Sequence, residues 1–430
     1  MTVPLRFVAF CLVTLVFASS IPAQIASDAQ SFSKLSADRD WPWWRGMSRN
    51  GMATKSATPP VSFSDTEAVL WKAPVPGRGH SSPIIIGNSV FLTTADEATQ
   101  TQSALAFDLQ SGKTLWSKPI SQGAFPARIH NNNTNASPTI GSDGERLFIT
   151  FYHHDSVQAT ALGLDGKPIW QRTVGGFRPR RYEYGYAPSP LLYRNTVIVT
   201  GEYDGDSFIT ALNRQTGAPV WRIPRENNIT FSSPVVAHVA GRDQMLISGT
   251  NKVASFDPAT GKPLWSVDGT SAATCGTMVW DGDIVFASGG YPKAETIAVR
   301  ASGKGEVLWK NAQKCYEQSM LAYDGHLYAL TDNGVAYCWR GKDGQELWRE
   351  RLQGPVSASP ILAGGHIYWA NERGTLYVYR PSPQKFELVS TNRLGDESFA
   401  SPAVSGGKLL LRVGVREGNR LQEYLYCFGK

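Results

Sequence analysis

One phrase returns along this chain at a near-constant interval, and that interval decides what the chain can fold into. "AFDLQSGKTLW" ends at Trp116, "GLDGKPIW" at Trp170, "ALNRQTGAPVW" at Trp221, "SFDPATGKPLW" at Trp265, "RASGKGEVLW" at Trp309 and "CWRGKDGQELW" at Trp348. Trp71 and Val389 extend the series to eight positions, about 45 residues apart. A second phrase alternates with the first: Ser-Pro at Pro83, Pro138, Pro190, Pro234, Pro360 and Pro402, with Gly-Thr at Thr277 and Ser-Met at Met320 in the two gaps. After each comes an apolar run, a turn, and a second run such as "VFLTT", "VIVTG" or "IYWAN". Four short strands per period of this length are the mark of a propeller blade. The fold class read from the sequence is all-β: an eight-bladed β-propeller of four-stranded blades.

The chain ends fit that count only in a closed ring. "AVLWKAP" around Trp71 is an outer strand with no blade before it, and "QEYLYCFGK" is a third strand with no outer one. Pairing the two removes two exposed sheet edges that would otherwise recruit other chains. Before each Trp position, at ten or eleven residues in most repeats and seven in the short one, stand Ala106, Gly163, Ala211, Ser255, Ala298, Cys338 and Val378, with Cys427 in the matching place for Trp71 once the ring is closed, mostly small side chains that leave room for an indole. The docking tryptophans are Trp116, Trp170, Trp221, Trp265, Trp309 and Trp348, with glycine supplying the positive φ of each hairpin.

Composition agrees. With 42% hydrophobic and 18% charged residues the chain is globular, and 41 Gly, 13 Trp and 16 Tyr favour aromatic strands and tight turns over helices. Residues 1–23 have the layout of a secretory signal peptide: Arg6, an apolar run from Phe7 to Phe17, then small residues with cuts after Ser20 or Ala23. No later stretch is long enough to span a membrane. Residues 24–64 read as an arm packing on the propeller, residues 65–430 as the propeller itself, a periplasmic or secreted monomer. A net charge of +6 over 430 residues leaves no nucleic-acid footprint.

"ALNRQTGAPVW" and "SFDPATGKPLW" resemble the tryptophan-docking motif of the PQQ-like, quinoprotein-type β-propellers, over about residues 65 to 430. "DWPWWRGMSRNG", Asp40 to Gly51, is similar to the D-W-P-x-W-R-G opening of exported single-propeller members. Read from the residues alone, Trp41, Trp43 and Trp44 are apolar anchors of the arm. The resemblance implies a PQQ and calcium cofactor only for members with an adjacent-cysteine pair, calcium ligands and an Asp base. This chain has no Cys-Cys pair, and no calcium ligand or catalytic residue can be carried over. The eight blades also resemble the outer-membrane assembly lipoproteins of the Bam complex, whose lipidation signal Cys11, preceded by Phe10, does not match.

Other constellations carry little chemistry. "YDGDS" at Tyr203 to Ser207 reads as a hairpin and not a calcium loop, because two carboxylates fall short of about six oxygens. Ser81 beside His80 lacks a nucleophile-elbow phrase. His153 and His154 should point to opposite faces of a strand and share no metal. Cys338 and Cys427 occupy the small-residue slot as buried thiols, while Cys275 and Cys315 stand before consecutive inner strands and read as free thiols, with a disulfide left open as the alternative.

Connection length is more informative. From each Trp position to the next Ser-Pro position the chain runs 11 to 13 residues, except from Trp116 to Pro138 (22) and from Trp170 to Pro190 (20). These connections all emerge around one channel mouth, so the two insertions should be neighbours there. They carry "GAFPARIHNNNTNASP" and "GGFRPRRYEYGYAPSP", with "PGRGHSSP" before them. The candidate ligand-binding rim is therefore Arg78, His80, His130, Asn132, Arg178, Arg180, Arg181, Tyr182 and Tyr184, suited to an anionic or polyhydroxylated ligand or to an envelope protein. No catalytic or metal-ligating residue and no cofactor is assigned. The reading is an exported noncatalytic binding or scaffolding module; the alternatives are an enzyme on carbohydrate or anionic substrate at that rim, and a PQQ-dependent dehydrogenase.

Overall fold

The computed structural model describes residues 29–225 and 227–429, so the leader at residues 1–23 and the start of the arm lie outside the described residues. Eight separate antiparallel sheets of four strands each make up the ring. The first blade contains Ile84–Ile86, Ser89–Asp96, Thr101–Asp108 and Thr114–Gln122 from the centre outward, and six more repeat the pattern. The eighth blade is composite: Ala403–Ser405, Lys408–Glu417 and Arg420–Phe428 are completed on the outside by Val69–Val75. Trp71 pairs with Cys427 and Lys72 with Tyr426, the closure expected from the two half-blades.

Within a blade each docking tryptophan lies opposite its small residue. Trp116 faces Ala106, Trp221 Ala211, Trp265 Ser255, Trp309 Ala298 and Trp348 Cys338. The second blade departs from the expected alignment: its short turn brings Ala161, not Gly163, opposite Trp170. The indoles then lean onto the next blade. A methyl group added to Gly112 would sit 2.5 Å from the Trp71 ring, to Gly217 2.8 Å from Trp170, and to Gly344 2.6 Å from Trp309. The hairpin glycine thus serves twice, for its φ of +69 to +73 at these three turns and for the space its missing Cβ leaves. Indole N–H groups of Trp71, Trp116, Trp170, Trp309 and Trp348 donate across the seam to carbonyls of the following blade. Trp265 instead donates to the Gln244 side chain, and the Trp221 nitrogen has no partner.

Val389 is not the eighth member of the series. Ser390 stands opposite Val378, and Val389 is exposed beside it. The physical reason is the closure. The third and fourth strands of the eighth blade come from opposite ends of the chain, so no hairpin joins them and an indole would have nothing to dock on. Arm residues fill that seam: the Val61 carbonyl accepts from Ser390 and Asn392, the Phe63 N–H donates to Asn392, and the Phe63 ring lies 4.6 Å from that of Phe428.

The inner Ser-Pro phrase closes the centre. Ser401 N–H donates to Ser82, Ser82 N–H to Thr139, Thr139 to Ser189 and Ser189 to Ser233; Thr277 donates to Ser319, Ser319 to Ser359 and Ser359 to Ser401. This ring places Thr139-Ile140, not Ser137-Pro138, in register in the second blade, and Thr277-Met278 in the fifth. The eighth hydroxyl, Thr277, accepts instead from the Trp44 indole at 2.8 Å.

The arm stops the far end of the channel. Trp41 bridges Ile85 of the first blade, Pro42 accepts from Ser142 of the second, Arg49 donates to Leu192 of the third, and Asn50 to Trp280 of the fifth. Arg45, fully buried, donates to the Met320 and Pro360 carbonyls of the connections leading into the sixth and seventh blades. Trp41 and Trp43 are buried anchors; Trp44 is only half-buried. Among the described residues no helix is long and apolar enough to cross a membrane.

Candidate functional site

At the end opposite the arm, the outer-to-inner connections enclose a cavity of about 150 Å³. Every connection contributes: His80, His130 with Asn132, Tyr184, Phe231, Cys275, Tyr316 with Glu317, Ser357 and Phe399. Trp44 is part of its lining, so the stopped channel makes the cavity blind.

Sequence reasoning named four of these lining residues. The two insertions are neighbours, since the Tyr184 carbonyl accepts from Asn133 at 2.6 Å and the His130 and Tyr184 rings meet edge to face at 4.9 Å. Asn132 donates to Glu317 at 3.2 Å. Its connection joins the first and second blades, that of Glu317 the fifth and sixth, on opposite sides of the ring, so the first insertion spans the mouth. His80 stacks on Phe399 at 4.3 Å. Burial, reinforced by the Arg78 and Arg412 charges, pushes its imidazole down to about 3, so it is neutral. Ser81 faces away, bonded to Thr93 and Arg412, so the two adjacent residues form no dyad.

The other five sit elsewhere. Arg78 is paired with Glu397 at 2.9 Å and Glu423 at 3.4 Å. Arg178, on the outer rim, is paired loosely with Asp155; Arg180 and Arg181 are exposed, and only their backbone N–H groups are held, by Asp204. Asp204 belongs to the "YDGDS" turn, which caps this insertion. Tyr182 packs on Tyr184 and Tyr291 behind the lining. The positive potential expected of this rim is therefore outside the cavity, because guanidinium groups find water and carboxylates there more cheaply than in an aromatic wall.

One further expectation is corrected, and one open question is answered. The His153 and His154 rings meet at 4.2 Å, because His154 turns the chain at φ 49 and strand alternation ends there. Cys275 and Cys315 form no disulfide; all four described cysteines are free, with Cys338 and Cys427 buried.

Sequence reasoning missed the acidic side of the cavity. The Ser357 hydroxyl lies 2.5 Å from Glu317 and 2.6 Å from Glu372. One hydroxyl proton cannot serve two carboxylates, so one of the carboxyls carries its own. Burial, with the Glu372 and Asp332 charges, pushes Glu317 up to about 7 against the Ser357 and Asn132 hydrogen bonds. Glu372 is raised too, chiefly by burial. No spacing rule could have found this cluster, since Glu317 and Ser357 lie on successive connections and Glu372 in a hairpin turn of the seventh blade, and they meet only where the sixth and seventh blades pack together.

Comparison with known proteins places this scaffold. The family model described as outer membrane protein assembly factor BamB matches residues 45–184, 100–323 and 293–382. The chain belongs to this family of PQQ-like propellers. It is 24% identical over 387 residues to the outer membrane protein assembly factor BamB of Burkholderia pseudomallei, covering 76% of this chain and 92% of that one. It is also 22% identical to the tetrathionate hydrolase of Acidithiobacillus ferrooxidans, covering 71% and 65%. Among solved structures, a europium-containing methanol dehydrogenase superposes with a TM-score of 0.69 at 11% identity, covering 92% and 99%. BamB from Moraxella catarrhalis gives 0.58 at 14%, covering 83% and 96%. At these identities the likeness is one of fold.

The quinone cofactor of the dehydrogenases can be tested against the donor set. PQQ carries three carboxylates, and no Arg or Lys lines the cavity. Asn132 and Glu317 are residue types that calcium accepts, but Glu317 is tied to Ser357, and among the described residues no group of three His, Cys, Asp or Glu side chains is placed to hold a metal. The residues do not fit the group.

Proposed function

We propose that the protein is an exported, noncatalytic binding module of the cell envelope whose mouth cavity takes a neutral polyhydroxylated ligand. The carrying observation is the character of the lining: aromatic rings of Tyr184, Phe231, Tyr316 and Phe399, the Asn132 amide, and a carboxyl held close to neutrality, with no cationic side chain. Such a wall stacks on the apolar faces of sugar rings and exchanges hydrogen bonds with their hydroxyls. Anions are disfavoured by Glu317 and Glu372. Glu372 is not part of the lining and faces Glu317 through Ser357, which favours binding over hydrolysis, where two carboxyls would flank the substrate. Relatives named for outer membrane protein assembly support a location in the envelope.

Titration calorimetry with neutral oligosaccharides and with their uronic acid counterparts tests this reading. The neutral series is expected to bind, and Asn132→Ala and Tyr184→Ala each to weaken binding about tenfold. Preference for the uronic acids, release of hydrolysis products, or retention of an envelope protein in place of any sugar would overturn it.

A further inference from the structure

The floor of the cavity is built differently from its walls. Eight hydroxyls circle the axis, one per blade, and each already accepts an N–H: seven from the backbone of the preceding blade, and Thr277 from Trp44. A hydroxyl both accepts and donates. None of the eight donates to an acceptor among the described residues, although all are more than nine-tenths buried; Ser82 and Thr277, for example, are each 4% exposed. Six of them, Ser82, Thr139, Ser189, Ser233, Thr277 and Ser401, line the cavity. Buried donors without acceptors are uncommon in folded proteins and call for a ligand or ordered water.

Inside this circle is Trp44. It differs from its neighbours Trp41 and Trp43, which are 4% and 5% exposed, in being half-buried and in sharing a wall with both the mouth cavity and a small void beneath. Its indole N–H is fixed on Thr277, so the ring is held rigidly at the bottom of a blind hole. An aromatic surface surrounded by hydroxyl donors matches a pyranose, whose axial C–H face is apolar and whose edge is all oxygen acceptors.

We propose that Trp44 and the hydroxyl circle form a subsite for the terminal residue of a glycan, which enters end-on along the propeller axis. This rests on the polyhydroxylated-ligand reading and adds its polarity. A volume of about 150 Å³ holds the equivalent of about five waters, or one sugar ring. The arm closes the far end, so a chain cannot thread through and an internal residue cannot reach the floor. Floor and walls enclose the terminal residue, and the second residue lies at the mouth above them.

The test uses the full-length protein, linear α1,4-glucans and β1,4-linked N-acetylglucosamine oligomers of two to six units, and cyclic α-glucans without ends. Ligand-observed NMR saturation transfer reads which sugar protons approach the protein. Expected are binding of linear oligomers of one series with strongest transfer to the terminal residue, no binding of the cyclic glucans, and at least tenfold loss in Trp44→Leu with recovery in Trp44→Phe. The Phe variant also controls for the arm, since it keeps an aromatic plug; its thermal midpoint should match the wild type within a few degrees. Linear sugars that bind while Trp44→Leu has no effect, or cyclic glucans that bind equally well, would overturn the subsite and leave the wall reading standing. If no neutral sugar of either series binds, both fall.

Discussion

Replacing Glu317 by Gln should change how the stability of the whole ring depends on pH. The carboxyl is squeezed between burial and the charges of Glu372 and Asp332, and its folded value rises from 4.5 to about 7. Between those values the folded protein holds a proton that the unfolded chain has released, so stability falls as pH rises through the window. At 1.36 kcal/mol for each pKa unit, the loss is about 2 to 3 kcal/mol once some solvent relaxation is allowed. His80 acts in the opposite sense. Its folded value of about 3 lies below the usual 6.5, so the unfolded chain binds the extra proton and stability rises with pH between the two. Wild-type protein should therefore be most stable near pH 6. Glutamine keeps the shape and the contacts to Ser357 and Asn132 but cannot ionise. Urea unfolding followed by tryptophan fluorescence from pH 4 to 9 should give equal stabilities near pH 4 and a variant more stable by about 2 to 3 kcal/mol at pH 8. The His80 contribution cancels in that difference. Parallel profiles, or a variant less stable at pH 8, would refute the shared-proton geometry.

Other outcomes follow from the same contacts. Gly112→Ala should destabilise by about 2 to 4 kcal/mol in thermal unfolding, because its Cβ would sit 2.5 Å from the Trp71 ring at a φ of +69. Trp170→Ala, which empties the seam between the second and third blades, should cost about 3 to 5 kcal/mol. Deleting residues 422–430 should abolish the cooperative transition of the entire ring, not fray one end; a retained midpoint would show the closure to be dispensable. Changing Arg178, Arg180 and Arg181 together to Ala should leave both the thermal midpoint and neutral-sugar binding within error, as exposed side chains do.

The ring was legible from the sequence because its rules are local and repeated. Ala211 and Trp221 meet across one hairpin, and that hairpin recurs with small variations. The closing strand could be inferred from the same arithmetic. What periodicity could not show is where the repeat is broken for a reason: Val389 misled because the seam it adjoins has no hairpin, and Pro138 because an insertion shifts the hydroxyl position by two residues. The site was half legible. Long connections pointed to His130, Asn132 and Tyr184, but charge density pointed to Arg178 and its neighbours, and whether a guanidinium faces the axis or the solvent depends on carboxylates such as Asp155 from another turn. Glu317, a single acidic residue in a connection of ordinary length, gave no signal at all.

The composite eighth blade and the arm beneath the channel also impose an order of events on biosynthesis. The residues that stop the axis and those that begin the outer closing strand leave the ribosome first; the former dock on blades from the first to the seventh, but the closing strand's only strand partner is the last one made. Val69 cannot find Phe428 until the whole ring has been synthesised, and joining ends so far apart costs about 5 kcal/mol of chain entropy that only the completed seam offsets. The growing chain is thereby kept from settling early into a finished shape. A chain released short of its final strand has nothing to pair with Val69–Val75, and its outer edge is left open.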